Sequence, residues 1–309
     1  MENIHGGAGM ERYRDEEIIN ELMQRLKARD KACHDLTAMT KNLATLNERL
    51  VESEKVKGHF LSNIRNEINN PLTSVLTMCE LILSSDGPDA FDAETCRSLV
   101  ATIRKEAFSL NFQLRNIFVA AELEAGEEVL SVSAVDVATL LKSTAGAFAH
   151  RAAEKKLTIA TNISDDVRHH CFRTDPEKLQ CVLSNLIANA IEFSYEERPV
   201  SIRAWKDNGE LSVSVTDYGI GMDERDQGAI FERFRQLEAG ATKQHGGHGL
   251  GLSIIKSTIE LLGGAISVVS KKGAGAVFTV TVPEMAGEES SVFAVDGNEF
   301  FFGTEGERF

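Results

Sequence analysis

The chain has 309 residues, enough for roughly two domains, and a hydrophobic share of 42% that can fill globular cores. Its net charge of −14 argues against nucleic-acid binding and against docking on anionic membranes, and favours solubility. Cys33, Cys79, Cys96, Cys171 and Cys181 are scattered, with no CxxC pair or metal-ligand spacing, and read as reduced thiols of a cytoplasmic protein. The opening residues lack the pattern of a signal peptide, and no window of about 18 apolar residues predicts a direct membrane span.

Residues 1–15 are polar and glycine-bearing, which predicts a flexible N-terminus. Residues 16–58 are charged, helix-favouring and free of proline. Within them Leu36, Met39, Leu43, Leu46 and Leu50 fall at alternating three- and four-residue steps. That heptad seam predicts a parallel coiled coil, weakened toward its end by Ser53 and Lys57. Ile18, Ile19, Leu22 and Leu26 do not share its register, so a register shift is expected between the two sets. The seam continues through Leu61, Ile64, Ile68, Leu72, Val75, Cys79 and Ile82 until Gly87-Pro88 stops it. Pro71 lies inside this helix and predicts a kink. A second helix carries Leu99, Ile103, Ala107, Leu110, Leu114, Ile117 and Ala121, and ends near Gly126. Two helices with one apolar stripe each cannot bury those stripes alone; a dimer makes residues 59–126 a four-helix bundle.

From residue 127 the texture changes to alternating helices and strands. Strands are predicted at 129–133 and 157–163, with a helix over 136–154 between them. Asp175-Pro176 is a capped helix start, and that helix runs to about Phe193. Segments 200–206 and 210–216 flank Asp207-Asn208-Gly209, a hairpin signal. A helix over 249–262 is stopped by Gly263-Gly264, and 265–270 with 276–282 make a last hairpin. The fold class is therefore α + α/β: a coiled coil feeding a dimeric four-helix bundle, then an α/β sandwich over 127–283 with helices on one face of a mixed sheet. Residues 284–309 form an acidic, Phe-rich extension, read as a strand pair packing on the sandwich or as a docking segment.

Three motifs stand in order in the sandwich: Asn185-Leu-Ile-Ala-Asn189, Asp217-Tyr-Gly219-Ile-Gly221 and Gly247-His248-Gly249-Leu250-Gly251. Each alone is weak: a polar helix face, a turn after a strand, a flexible loop. In this order and at this spacing they resemble the ATP-binding domain of sensor histidine kinases, within the gyrase/histidine-kinase superfamily. The resemblance implies ATP and Mg²⁺ as ligands. It implies that Asp217 accepts the exocyclic amine of adenine beside Gly219 and Gly221, and that Asn185 and Asn189, one turn apart on the same helix face, belong to the ATP site. Asn189 supplies a neutral oxygen to Mg²⁺, which keeps much of its shell as water and phosphate. Free N–H groups where Gly247, Gly249, Leu250 and Gly251 open a helix suit phosphate. The segment from Phe231-Glu-Arg-Phe234 to these glycines looks like the family's mobile ATP lid, and His248 within it can reach a terminal phosphate. Position 192, where the family carries a basic residue, is Glu192; weaker nucleotide affinity or turnover is expected. Related gyrase-type ATPases place a glutamate base where this chain has Asn185, which cannot take a proton, so attack by water is disfavoured.

Upstream, Phe60-Leu-Ser-Asn-Ile-Arg-Asn66-Glu67-Ile-Asn-Asn70-Pro71-Leu72 resembles the phosphoacceptor box of the same family. Where the family has its histidine, this chain has Asn66. The amide nitrogen of asparagine has no free lone pair, so no phosphorylation is expected there. The resemblance gives Glu67 and Asn70 a second use, positioning water against the phosphoaspartate of a response regulator receiver domain; a solvated polar stripe is the plain alternative. His59 stands one heptad before Asn66 and is a candidate substitute acceptor, although an exposed helix histidine is the commoner case.

The combined expectation is a degenerate histidine kinase that binds ATP but does not label itself at position 66. It would act as a homodimer, as a heterodimer with a complete kinase, or on a response regulator. An ordinary histidine kinase carrying an engineered His-to-Asn substitution would read the same. An anti-sigma-type serine kinase is opposed by the long helices, and a gyrase-like ATPase by Asn185.

Overall fold

The computed structural model describes residues 7–84, 92–126, 128–232 and 249–286. Along the first helix it describes side chains over 20–48 and at 51, 65 and 68–84. The chain divides into a unit Met1–His59 and a unit Phe60–Phe309.

Helix α1 (Gly7–Ser84) is one element of 78 residues. It begins inside the segment whose polarity suggested a flexible start, and its helical assignment continues through Pro71. In the first unit every described side chain is exposed, including Leu36, Met39, Leu43 and Leu46 of the heptad seam. Helix α2 (Ala93–Ala125) is capped by Asp92, whose carboxylate accepts from the Thr95 N–H at 2.7 Å. It ends at Gly126 in the left-handed conformation, with the Gly126 N–H returning to the Glu122 carbonyl.

The sandwich follows. Strand β1 (Ser133–Val135) pairs antiparallel with β3 (Phe172–Thr174), separate from the main sheet. Thus the strand expected at 129–133 sits farther along the chain, and β3 had no clear pattern of its own at three residues. The helix expected over 136–154 is two helices, α3 (Val137–Ala147) and α4 (Ala149–Glu154). They break at Phe148, whose ring is fully buried and whose backbone N–H donates to the Ala145 carbonyl. Then come β2 (Thr158–Ile163), the short α5 (Asp165–Arg168), α6 (Pro176–Phe193), β4 (Pro199–Asp207) and β5 (Glu210–Asp217). A 3₁₀ turn at Ala229–Phe231, α7 (Gly251–Leu261), β6 (Ala265–Ser270) and β7 (Ala276–Pro283) complete the described order.

The main sheet has the order β2-β4-β5-β7-β6. Only the β2–β4 pair is parallel, so the sheet is mixed as predicted. The β4–β5 hairpin turns at Asn208 and Gly209, both at positive φ, as the Asn-Gly signal requires. One core joins the sheet to its helices: Leu140 and Leu141 of α3, Leu179, Leu183, Leu186 and Ile187 of α6, and Ile255 and Ile259 of α7 meet Val200, Ile202, Val213, Val215 and Val280. Beyond β7 the chain returns toward β3, with the Met285 N–H on the Arg173 carbonyl and Lys206 paired to Glu284 at 2.7 Å. Residues 287–309 of the C-terminal extension lie outside the described residues.

Candidate nucleotide site

Helix α6 starts from a built-in cap. The Asp175 carboxylate accepts from the Lys178 N–H at 3.0 Å and from the Ser131 N–H at 2.7 Å, and Pro176 occupies the first turn. Beside that start Lys178 is ion-paired to Glu128. The helix carries Asn185 and Asn189 one turn apart on one face. Asn185 is buried and Asn189 half-buried. Both reach the first residue of α7: a Cβ placed on Gly251 would lie 3.1 Å from Asn185 Oδ1 and 3.6 Å from Asn189 Nδ2. Gly251 thus lets the backbone at the start of α7 come directly against both amides.

The far end of α6 abuts the Asp217 loop. Ser194 bridges to Gly219, and the Ile220 N–H donates to the Phe193 carbonyl at 3.3 Å. A Cβ on Gly219 would fall 1.8 Å from the Phe193 oxygen, so no larger residue fits without moving α6. Gly221, at φ 59°, packs as closely against the Lys271 carbonyl. The β6–β7 turn locks the loop from the other side, with the Gly273 N–H on the Ile220 carbonyl at 2.6 Å and the Met222 N–H on Ser270 Oγ at 2.9 Å.

Asp217 closes β5 and is 5% exposed. Its Oδ1 accepts from the Gly219 N–H at 3.1 Å. Burial pushes the carboxyl up to about 6, opposed by hydrogen bonds from the Gly219 and Ala276 backbone. A buried carboxylate with no cation beside it among the described residues is a poor structural element and a good acceptor for a polar ligand group.

Two features around the asparagines carry no sequence signal. Asn116 of α2, lying between Arg115 and Ile117 on an otherwise amphipathic helix, forms a reciprocal amide pair with Asn185: Asn116 Nδ2 donates to Asn185 Oδ1 at 2.9 Å, and Asn185 Nδ2 donates to Asn116 Oδ1 at 3.0 Å. Secondly, Glu192 is not isolated. Arg151 of α4 pairs with it at 2.9 Å, and Lys155 Nζ donates to the carbonyls of Ile191 and Glu192. Cys181, one turn before Asn185, is a buried thiol pushed up to about 12 by desolvation and is chemically quiet.

The structure therefore brings Asn185, Asn189 and Gly251 together, and ties Asp217, Gly219 and Gly221 to the end of the same helix. Leu250 is buried just before α7, and Gly249 precedes it at φ 69°. Asn70 is exposed on α1. Phe234, Gly247 and His248 lie outside the described residues, as do the side chains of His59, Asn66 and Glu67. Among the described residues no group of three or more His, Cys, Asp or Glu could hold a metal ion, and no helix is long and apolar enough to cross a membrane.

Two family models match in tandem. Residues 56–126 match the His Kinase A (phospho-acceptor) domain, and residues 174–286 match the histidine kinase-, DNA gyrase B- and HSP90-like ATPase. The circadian input-output histidine kinase CikA of Synechococcus elongatus is 32% identical over 229 residues, covering 74% of this chain and 30% of that protein. The signal transduction histidine-protein kinase BarA of Escherichia coli is 31% identical over 236 residues, covering 75% of this chain and 25% of that protein. The chain thus spans about a quarter to a third of the length of these curated relatives. The crystal structure of full-length ShkA in complex with AMPPNP shares the fold, with a TM-score of 0.52 at 24% identity, over 78% of this chain and 47% of that one. Fold and site define a helical domain of phospho-acceptor type joined to an ATPase-type sandwich. The chain belongs to the sensor histidine kinase family of two-component signalling.

Proposed function

We propose that this chain binds ATP with Mg²⁺ and governs phosphoryl flow in a two-component pathway without accepting phosphate at position 66. The observation that carries the nucleotide reading is Asp217: a buried carboxylate, with no cationic partner among the described residues, at the base of a loop that only glycines can form. Its ionised oxygens suit the exocyclic amine of adenine. Asn189, half-buried one turn before the end of α6, offers a neutral oxygen to Mg²⁺. A cation held chiefly by phosphates and water needs no carboxylate cluster, so the donor set fits the ion. The start of α7 at Gly249 to Gly251 supplies backbone N–H groups for phosphate, and the family resemblance assigns Phe234, Gly247 and His248 to the same site.

No general base for water stands at position 185, since an amide cannot take a proton. This favours transfer to a protein side chain over hydrolysis. Asn66 is no such acceptor, for its nitrogen lone pair is delocalised into the carbonyl. The phosphate would go to a complete partner kinase, or the chain would act on a response regulator, with Glu67 and Asn70 positioning water at the receiver's phosphoaspartate. Dimerisation is supported by the exposed Leu36, Met39, Leu43 and Leu46, an apolar stripe that a second copy would cover. The division into a flexible start (1–15), coiled coil (16–58), helical hairpin (59–126), ATP domain (127–283) and extension (284–309) serves this reading.

The test is transfer from γ-labelled ATP with Mg²⁺, comparing the chain with Asn66→His. Acid-labile label on the variant alone supports the proposal. Label mapped to Asn66 in the unaltered chain overturns it, and label mapped to His59 would move the acceptor one heptad upstream. An unlabelled variant would show that the defect extends beyond position 66.

A further inference from the structure

Helix α2 touches the sandwich along one face. Lys105 pairs with Glu154 at 2.9 Å. Phe108 and Phe112 meet the Phe148 ring edge-on, with centroids 5.5 and 5.7 Å apart. Asn116 follows one turn later with its amide pair to Asn185, and Ile117 and Ala120 pack on Cys181, Leu250 and Ile254. Positions 108, 112, 116 and 120 are four residues apart, a single stripe on the helix. It is largely distinct from the seam 99, 103, 107, 110, 114, 117 and 121 that suits the helical bundle.

Within this apolar contact the Asn116–Asn185 pair is the directional element. Asn185 is 3% exposed, and its amide is nearly saturated by protein. One N–H goes to Asn116 and the other to the Cys181 carbonyl at 3.0 Å, while its oxygen receives Asn116 and lies against Gly251. An amide has only two N–H groups. A nucleotide that engages Asn185 therefore competes with partners the amide already has, and Asn116 holds both one of its N–H groups and its oxygen. Conversely, a rotation of α2 that withdraws Asn116 leaves a buried amide in need of a partner.

We propose that Asn116 is a positioning residue that sets nucleotide affinity by competing for Asn185. Docking of α2 and occupation of the nucleotide site then oppose each other through this one amide. This rests on the nucleotide reading above. Because coupling of two equilibria is reciprocal, nucleotide should loosen α2 by the same factor by which docked α2 weakens nucleotide.

The experiment measures binding of Mg·AMPPNP by calorimetry to the full chain and to Asn116→Ala and Asn116→Leu. Hydrogen exchange across residues 105–120 is followed with and without the ligand. Asn116 is half-buried on a helix face, and Leu fills the space that Ala empties, so a packing defect of one variant is not shared by the other. Both variants are expected to bind about three- to tenfold more tightly, the range set by one net hydrogen bond. In the unaltered chain the ligand should raise exchange in α2; in the variants exchange should be high already and insensitive to ligand. A merely structural Asn116 would weaken binding or leave it unchanged, and either result overturns the proposal. If both chains bind alike, only the role of Asn116 falls. If none binds, the nucleotide reading falls and takes this inference with it.

Discussion

The sandwich and the long helices are built on opposite terms. In the sandwich, helices α3 to α7 and a mixed sheet share one core, and the Asp217 loop is fixed on two sides by backbone hydrogen bonds. Helix α2 has no fully buried residue, and α1 leaves Leu36, Met39, Leu43 and Leu46 exposed. The sandwich thus satisfies itself within one chain, while the helices present apolar surface that only another surface can cover. Stability and nucleotide chemistry should accordingly reside in the first, and assembly in the second.

The comparison breaks hardest at Gly219. A Cβ there meets the Phe193 carbonyl at 1.8 Å, and backbone on both sides prevents relief. Gly219→Val should cost roughly 3 kcal/mol or more and abolish nucleotide binding, while leaving the helices and their association intact. Thermal unfolding followed beside sedimentation would separate the two effects; a variant with unaltered melting would refute the packing argument. The converse substitution is Leu36→Lys with Leu43→Lys. Two seam leucines, each worth about 1.5–3 kcal/mol of burial, should weaken self-association by at least a hundredfold with no change in the melting of the sandwich. If the doubly substituted chain sediments like the original, another surface holds the dimer.

Asp217 sharpens the contrast by setting function against stability inside the sandwich. Burial raises its carboxyl from 3.8 to about 6. For an acid with a raised folded value, the folded state holds the proton more tightly than the unfolded one. Its stabilising contribution is complete below pH 3.8 and is lost as pH rises through about 6. Under the proposed role in adenine binding the opposite, ionised form is the one that binds, so affinity for Mg·AMPPNP should fall as pH drops through about 6. Asp217→Asn should remove at least tenfold in affinity, flatten that pH dependence and melt no lower than the original chain. A variant that binds as well as the original would remove Asp217 from the site.

The parts of the fold that were readable in sequence are those set by local chemistry. Asp175-Pro176 opens α6, Asn208-Gly209 turns the β4–β5 hairpin, and Gly263-Gly264 ends the last helix, each because few residues can adopt those backbones. β1 and β3 escaped because three-residue strands are too short to show alternation. The break between α3 and α4 escaped because Phe148 continues the apolar period while its backbone turns. In the candidate site, ordered spacing singled out Asn185, Asn189, Asp217 and the glycines, and the fold gathers them along α6 and its far end. Asn116 was not, since its meaning comes from a contact 69 residues away. The same holds for Arg151 and Lys155, which change what Glu192 means.

Glu192 yields the smallest expected effect. Read alone, an acid where the family carries a base repels phosphate. In the folded chain Arg151 meets its carboxylate at 2.9 Å and Lys155 grips the adjacent carbonyls, so two cations surround one anion. The cluster keeps the single net positive charge that a lone basic residue would bring. Glu192→Lys would therefore add charge to a site already cationic and set three cations against one another, gaining little. It should change Mg·AMPPNP affinity by less than about threefold, with a stability cost below roughly 1 kcal/mol because the pair is partly exposed. Arg151→Ala should do more, because it removes the direct partner of the Glu192 carboxylate and takes the cluster from one net positive charge to none. Calorimetric titrations of both variants at low and high salt would decide between the two accounts. A tenfold or larger gain from Glu192→Lys would mean that the acid acts on the nucleotide directly, and that its pairing with Arg151 does not shield it.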